Sequence, residues 1–497
     1  MQFTTELQRL LRGILISLGI VGLAAGYYAI VGPLTLLERE DNLRLLEAQG
    51  EIARGNIYDR DERLLVTSVE SDNSTQRVRR YQHPSFNSAL GYFSLIYGVA
   101  GAEAAYDEQL SGADLQTDDL SRYIEQDLLH QAPQGTDLRL TFDLDVQRAL
   151  VNALEANGCI AQPELTDSGC AGVVLSIPDG GVLGMVSYPT YDPNQLDAQW
   201  QELISAPSTP FFNRALQGRY QPGGIFSTVM LTVAVINQYT ATSTFQNAAD
   251  VVRVGEVAQV CTASPPSDTL TLREAYQYGC PAPLAQVVTE IGIKRVEPVY
   301  NLFRFDEPLT LPGYVVIPVD PTAELTPVPT VEATPNPLPE DLTLADIMGQ
   351  GDITVSPLHM AAVTAAMING GNAPLPYTLI STRTPGTSTW TPTNRMQQFL
   401  PITTQETSAR LQNLMRTAVE TGIAQPAARE GYDIGGHVGL AFTGQTTQVW
   451  FIGWVRTAAR EGAVIAILLE DSNDLNTVAD IGGDVLAATA NAITTPE

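Results

Sequence analysis

Residues 13–37, GILISLGIVGLAAGYYAIVGPLTLL, carry no charge, and this run limits where the rest of the chain can fold. As a helix it would extend about 37 Å, enough to cross a bilayer with some tilt. Arg9 and Arg12 precede it, and Glu38, Glu40 and Asp41 follow. The positive-inside rule then leaves residues 1–12 in the cytoplasm and sends the rest outside. A cleaved signal peptide is the rival reading, but its apolar stretch usually spans only about 7–15 residues. The expectation is an uncleaved transmembrane helix over 13–37, a single-pass cell-membrane protein with the bulk of the chain extracytoplasmic.

The chain has 497 residues, enough for two or three domains. It balances 27 Lys and Arg against 55 Asp and Glu, a formal net charge of -28. Such a surface repels polyanions, so nucleic acid is not an expected partner. Lysine is almost absent: Lys294 alone occurs, and the other cations are arginines. Cys159, Cys170, Cys261 and Cys280 all lie beyond the apolar run, in a compartment that permits disulfides. No C-x-x-C or histidine cluster accompanies them, so no metal or other cofactor is expected. Short separations suggest Cys159–Cys170 and Cys261–Cys280, although four cysteines allow three pairings and free buried thiols are the alternative.

Residues 38–135 differ in pattern from the remainder of the chain. Leucines at helical spacing over 38–50 give a stalk, RGNIYDRDERLLVTS (54–68) gives two short strands around an Asp-rich turn, and turns with short helices fill 69–135. From 136 the pattern is more regular. LRLTFDL alternates as a strand; Asp143 or Asp145 can cap the next helix, and Asn157 with Gly158 ends it. AGVVLSIPDGGVLGMVSYP is a hairpin, apolar on both sides of a Pro-Asp-Gly-Gly turn. Residues 318–340 are rich in proline and threonine and read as an insertion that cannot pack as core. A helix runs from Ser356-Pro357 to Gly370-Gly371, then come the strands TTQVWFIGWVR and GAVIAILLED and a last helix around VADIGGDVLAATANAI. The class is α+β, an antiparallel sheet built from distant parts of the chain and flanked by helices.

Several stretches together resemble the class B penicillin-binding proteins, membrane-anchored D,D-transpeptidases of peptidoglycan synthesis, and within them the elongation-type penicillin-binding protein A. They are RGNIYDRDERLLVTS, YFSLIYGVAGAEAAYDEQLSG, VVLSIPDGGVLGMVSYPTYDPN, FFNRALQGRYQPGGIF, MGQGDITVSPLHMAAVTAAMINGG and VWFIGWV, in the family's order. The resemblance implies an anchor, a pedestal (dimerisation-like) domain over 38–135, and a transpeptidase-like domain of the serine β-lactamase type over 136–497. It also implies a partner, a SEDS-type glycan polymerase or another wall-synthesis membrane protein. The family's chemistry rests on S-x-x-K, S-x-N and K-T-G. In S-x-x-K the amine stands one helical turn from the hydroxyl and takes its proton; in K-T-G, lysine and threonine meet the substrate carboxylate.

All three motifs read as degenerate in this chain. Gly224 and Ser227 hold the serine and lysine places of the first; Gly279, Cys280 and Pro281 hold the second; Leu440, Ala441 and Phe442 hold the third. Ser227 and Thr228 are nearby hydroxyls, but neither has a lysine three positions on, and Lys294 reads as a solvated charge. His359 reads as an ordinary histidine of its helix and His437 as a loop histidine near the cleft. By carry-over, the backbone N–H groups of Gly224 and Thr443 would form an oxyanion hole, while Leu440 and Phe442, two apart on a strand, would fill and close the groove. The expectation is a catalytically inactive homologue acting as a scaffold or regulatory partner in cell-wall assembly. An active D,D-transpeptidase with displaced catalytic groups, and a sensor binding muropeptide or β-lactam, are the alternatives.

Overall fold

The computed structural model describes residues 2–30, 50, 52–70, 76–115, 134–160, 168–307, 309–314, 339, 342–444, 446–457 and 461–494. The helix Gln2–Ile30 takes in the first part of the apolar run, and residues 31–37 lie outside the described residues, as do 38–49 and nearly all of 318–340. Among the described residues no helix is long and apolar enough to cross a membrane.

A six-stranded sheet ties the pedestal to the larger unit. Its order is Thr391–Pro392, Leu379–Arg383, Asp137–Leu140, Ile57–Tyr58, Leu64–Glu70, Arg77–Tyr81. Asp137–Leu140 runs parallel to Ile57–Tyr58 and antiparallel to Leu379–Arg383, so strands from both sides of residue 135 share one sheet. The charges of RGNIYDRDER hold this region. Glu103, fully buried, accepts from Arg79 at 2.6 Å and from Arg54 at 3.0 Å. Burial alone would raise the Glu103 pKa, but the two guanidinium groups outweigh it and hold the carboxyl below its usual range. Arg63 spans from Asp59 (2.7 Å) to Asp145 (2.8 Å), pinning the Asp-rich turn to the next helix.

The elements that build the larger unit are, in chain order, α1 (Leu144–Ala156), β1 (Cys170–Ile177), β2 (Val182–Tyr188), α2 (Phe226–Ile236), α3 (Leu272–Gln277), α4 (Pro281–Ile291), α5 (Pro357–Ile368), α6 (Gln405–Thr421), β3 (Asp433–Phe442), β4 (Thr447–Arg456), β5 (Gly462–Glu470) and α7 (Leu475–Thr494). Asp143 caps α1, accepting from the N–H groups of Asp145 and Val146. The sheet is antiparallel throughout, in the order β3-β4-β5-β1-β2. Helices cover it, with α1 and α7 packed together, so β4, β5, β1 and β2 are almost wholly buried and read as continuous apolar runs instead of alternating ones. Helix α5 is buried along its whole length and is accordingly apolar all round; Ser356 caps it through the His359 N–H at 3.2 Å. Cys159 is bonded to Cys170 and Cys261 to Cys280.

Candidate active site

Strand β3 is an edge strand, and its open edge runs past the start of α2. Two glycines permit the approach. Gly223, with φ +53°, opens a short 3-10 turn ahead of α2, and a Cβ there would lie 2.2 Å from the Leu440 carbonyl oxygen. A Cβ on Gly439 would lie 2.2 Å from the Ile225 nitrogen. No larger residue fits either place without parting strand from helix. The turn is further held by Gly223 N–H donating to the Gly349 carbonyl at 2.8 Å.

This contact brings together two side chains far apart in sequence. Ser227, half-buried in the first turn of α2, places Oγ 3.4 Å from Nδ1 of His437, which is 1% exposed in the middle of β3. On the far side of the ring, Nε2–H donates to the Tyr276 carbonyl at 3.2 Å. A carbonyl can only accept, so the imidazole proton sits on Nε2 and the Nδ1 lone pair faces the hydroxyl. That carbonyl belongs to the last turn of α3 and also accepts from the Gly279 N–H at 3.2 Å. The Tyr276 ring stacks on the imidazole at 4.1 Å, and its hydroxyl is hydrogen-bonded to Thr228 Oγ1 at 2.8 Å. Burial lowers the His437 pKa to about 4, against a smaller upward push from the backbone of Tyr276 and Val438. The imidazole is therefore neutral at neutral pH, as a base must be. A separation of 3.4 Å is long for a hydrogen bond, and such pairs commonly tighten when substrate arrives.

The hydroxyl opens into a cavity of about 280 Å³ whose lining includes Gly224, Ser227, Tyr276, His437, Leu440 and Phe442, with the Cys261–Cys280 disulfide on another wall. Leu440 and Phe442 line this space and leave it open, so the expected closed groove is not found. Ala441 is buried instead and pairs with Gln448. Gly279, Cys280 and Pro281 form the junction into α4, with Cys280 at its N-cap and Pro281 as its first residue. They supply wall and carry no free hydroxyl, thiol or amide side chain.

Two site assignments need correction. His437, Val438 and Gly439 lie within β3, just ahead of Leu440, Ala441 and Phe442, with Gly439 against the α2 turn. His437 is thus a buried strand residue, not a loop histidine. Nor does Thr443 serve an oxyanion hole, because its N–H donates to the Thr446 carbonyl at 2.9 Å in the β3–β4 turn. The Phe442 N–H points off the open edge, to Gln350 Oε1 at 3.2 Å. Along a strand the same side recurs every second residue, so the Leu440 N–H faces that edge too, beside Gly224. Elsewhere, His359 is buried and donates from Nε2 to the Phe303 carbonyl at 2.8 Å, and Lys294 is exposed in the helix Ile293–Leu302.

The penicillin binding protein transpeptidase domain matches residues 170–495, and the penicillin binding protein A dimerisation domain matches residues 54–138. The chain is 28% identical over 471 residues to the peptidoglycan D,D-transpeptidase PbpA of Mycolicibacterium smegmatis, spanning 90% of this chain and 87% of that one. PbpA of Mycobacterium tuberculosis is similar to the same degree over 472 residues, with the same coverage. A shorter stretch of 148 residues, 28% of this chain and 21% of the relative, is 35% identical to the peptidoglycan D,D-transpeptidase MrdA of Escherichia coli. The solved imipenem acyl-enzyme complex of penicillin-binding protein A from M. tuberculosis superposes with a TM-score of 0.72 at 24% identity, over 88% of this chain and 99% of that one, a likeness of fold. These matches tie the chain to peptidoglycan assembly. They also overturn the expectation that it is not an enzyme: the relatives are named as enzymes, and no match supports inactivity.

Proposed function

The chain belongs to the penicillin-binding protein transpeptidase family, and from that premise we propose that it is a serine acyltransferase of peptidoglycan assembly, a D,D-transpeptidase whose catalytic groups have moved. Ser227 is the nucleophile and His437 its general base. The observation that carries this reading is the 3.4 Å approach of Ser227 Oγ to the unprotonated Nδ1 of His437, on the wall of an open cavity.

The tautomer dictates the steps. Ser227 Oγ forms a bond to the donor carbonyl carbon while its proton passes to His437 Nδ1. The Gly224 and Leu440 N–H groups, with the positive end of α2, face the oxyanion. The leaving group's bond to that carbon breaks, and the imidazolium returns the proton to it. The acceptor amine then attacks the acyl-serine, gives its proton to His437 and frees the hydroxyl. The Tyr276 carbonyl holds the ring in the productive tautomer and favours the imidazolium, as a carboxylate does in a Ser-His-Asp triad but with only a dipole. A base with a pKa of about 4 is weak at neutral pH, so turnover is slow. The test is thiol release from an N-acyl-D-alanyl thioester, with product formed on a D-amino acid acceptor. Wild type turns over; Ser227→Ala does not. Equal rates for the two would remove the reading.

The same reading takes residues 13–37 as the anchor, because they are free of charge, and sets the catalytic unit outside the membrane. It also has the pedestal dock on a SEDS-type glycan polymerase, as the family resemblance implies. Recovery of no such polymerase with the full chain in detergent would speak against that partner.

A further inference from the structure

We infer that this cleft selects an acyl donor with no free carboxylate beside the scissile bond, a neutral ester, thioester or amide with an apolar leaving arm. The inference rests on Ser227 as nucleophile and adds the substrate class.

None of the described residues lining the cavity is a lysine, arginine, aspartate or glutamate. The β3 residues on the cavity wall are His437, Val438, Leu440 and Phe442, and none offers the charge-assisted donor that the lysine of K-T-G gives a substrate carboxylate. His437 is buried, and its one N–H is committed to the Tyr276 carbonyl. The Thr443 hydroxyl, just beyond β3, is bonded within its turn, to the Thr446 carbonyl at 3.0 Å. The rest of the lining is largely apolar, with Met230, Leu284, Met348, Leu440, Phe442 and Leu475, and its other polar side chains, among them Gln259 and Thr262, are uncharged.

A carboxylate entering such a space loses water and gains no cation, which leaves it uncompensated. The field of a chain with net charge -28 opposes its approach as well. An uncharged arm bears neither cost and gains the apolar walls. In cell-wall terms the donor is a stem peptide whose terminal carboxylate is amidated or esterified.

The experiment compares two N-acyl-D-alanyl thioesters on the full chain, one with a carboxymethyl leaving arm and one with its methyl ester. Each rate is normalised to hydroxide-catalysed hydrolysis. Expected is a kcat/KM for the methyl ester about 30-fold or more above that for the acid, the effect of one unpaired charge. Gln259→Arg, which sets a cation on the cavity wall outside the catalytic groups, is expected to raise turnover of the acid and narrow the gap. Equal or better use of the acid by wild type, or a gap that Gln259→Arg does not move, overturns the inference while leaving the nucleophile in place. Release of thiol from neither compound removes the nucleophile reading and the inference with it.

Discussion

Ser227 and His437 stand 210 positions apart in the chain, yet the hydroxyl of one lies 3.4 Å from the bare ring nitrogen of the other. The helix start and the edge strand that carry them touch through glycine backbone, and the Tyr276 carbonyl fixes the ring from behind. Hydroxyl, base and orienting acceptor thus come from three separate elements.

His437 sets the pH dependence. Its folded pKa of about 4 lies below the ordinary 6.5, because burial disfavours the charged ring. The base therefore stays neutral as pH falls, and thioester turnover is expected to be flat from pH 8 to about 5 and to drop through about 4. A fall centred near 6.5 would contradict this. Stability runs the same way. The unfolded ring takes a proton near 6.5 while the buried one does not, so the full contribution is present above that pH. It is lost as pH falls toward 4, in total about 3 kcal/mol. Urea midpoints at pH 7 and pH 5 should differ more for wild type than for His437→Asn.

Gly439→Ala tests the contact that joins the two elements. Its new methyl would meet the Ile225 nitrogen at 2.2 Å, and backbone cannot yield as a side chain end can. A loss of about 1–3 kcal/mol is expected, read by urea denaturation, with turnover falling further than stability accounts for. Unchanged activity in a folded protein would show that the spacing does not matter.

Glu103→Ala would leave Arg54 and Arg79 buried without their shared carboxylate. Breaking a buried ion pair by removing one partner costs about 3–5 kcal/mol. Calorimetry should show a much lower Tm. The side chain lies in the pedestal, so whatever folded fraction remains at low temperature should keep its specific thioester activity.

Gly224→Ser combined with Ser227→Lys rebuilds the family's hydroxyl and amine one helical turn apart. A Cβ at 224 would meet Gly439 Cα at 3.0 Å, close enough to require a shift of a few tenths of an ångström. The double variant is expected to fold and to carry its acyl group at position 224. Acylation that stays elsewhere would show that the turn no longer presents that position.

Much of the fold was legible because its signals are local. Val182–Tyr188 and Cys170–Ile177 flank a Pro-Asp-Gly-Gly turn, and an apolar run on each side of such a turn has few choices other than a hairpin. Helix α5 announces itself by Ser356, Pro357 and the Gly370-Gly371 stop. The site was less legible, because periodicity does not say which strand forms an edge or what passes beside it. An amine sought near each hydroxyl along the chain does not lead to an imidazole delivered by β3. One local signal was there: Gly439, two residues after His437, marks a place where another backbone comes close. The Thr443 N–H was lost to view for a similar reason, since the register of Phe442 on Thr447 decides that it faces into the turn.

Peptide mapping by mass spectrometry of the acyl-enzyme, trapped from a neutral thioester and quenched before deacylation, tests the central claim most directly. Expected is a single adduct on Ser227, absent in Ser227→Ala and formed about 100-fold or more slowly in His437→Asn. An adduct on another residue, or one whose rate is indifferent to His437, would contradict it.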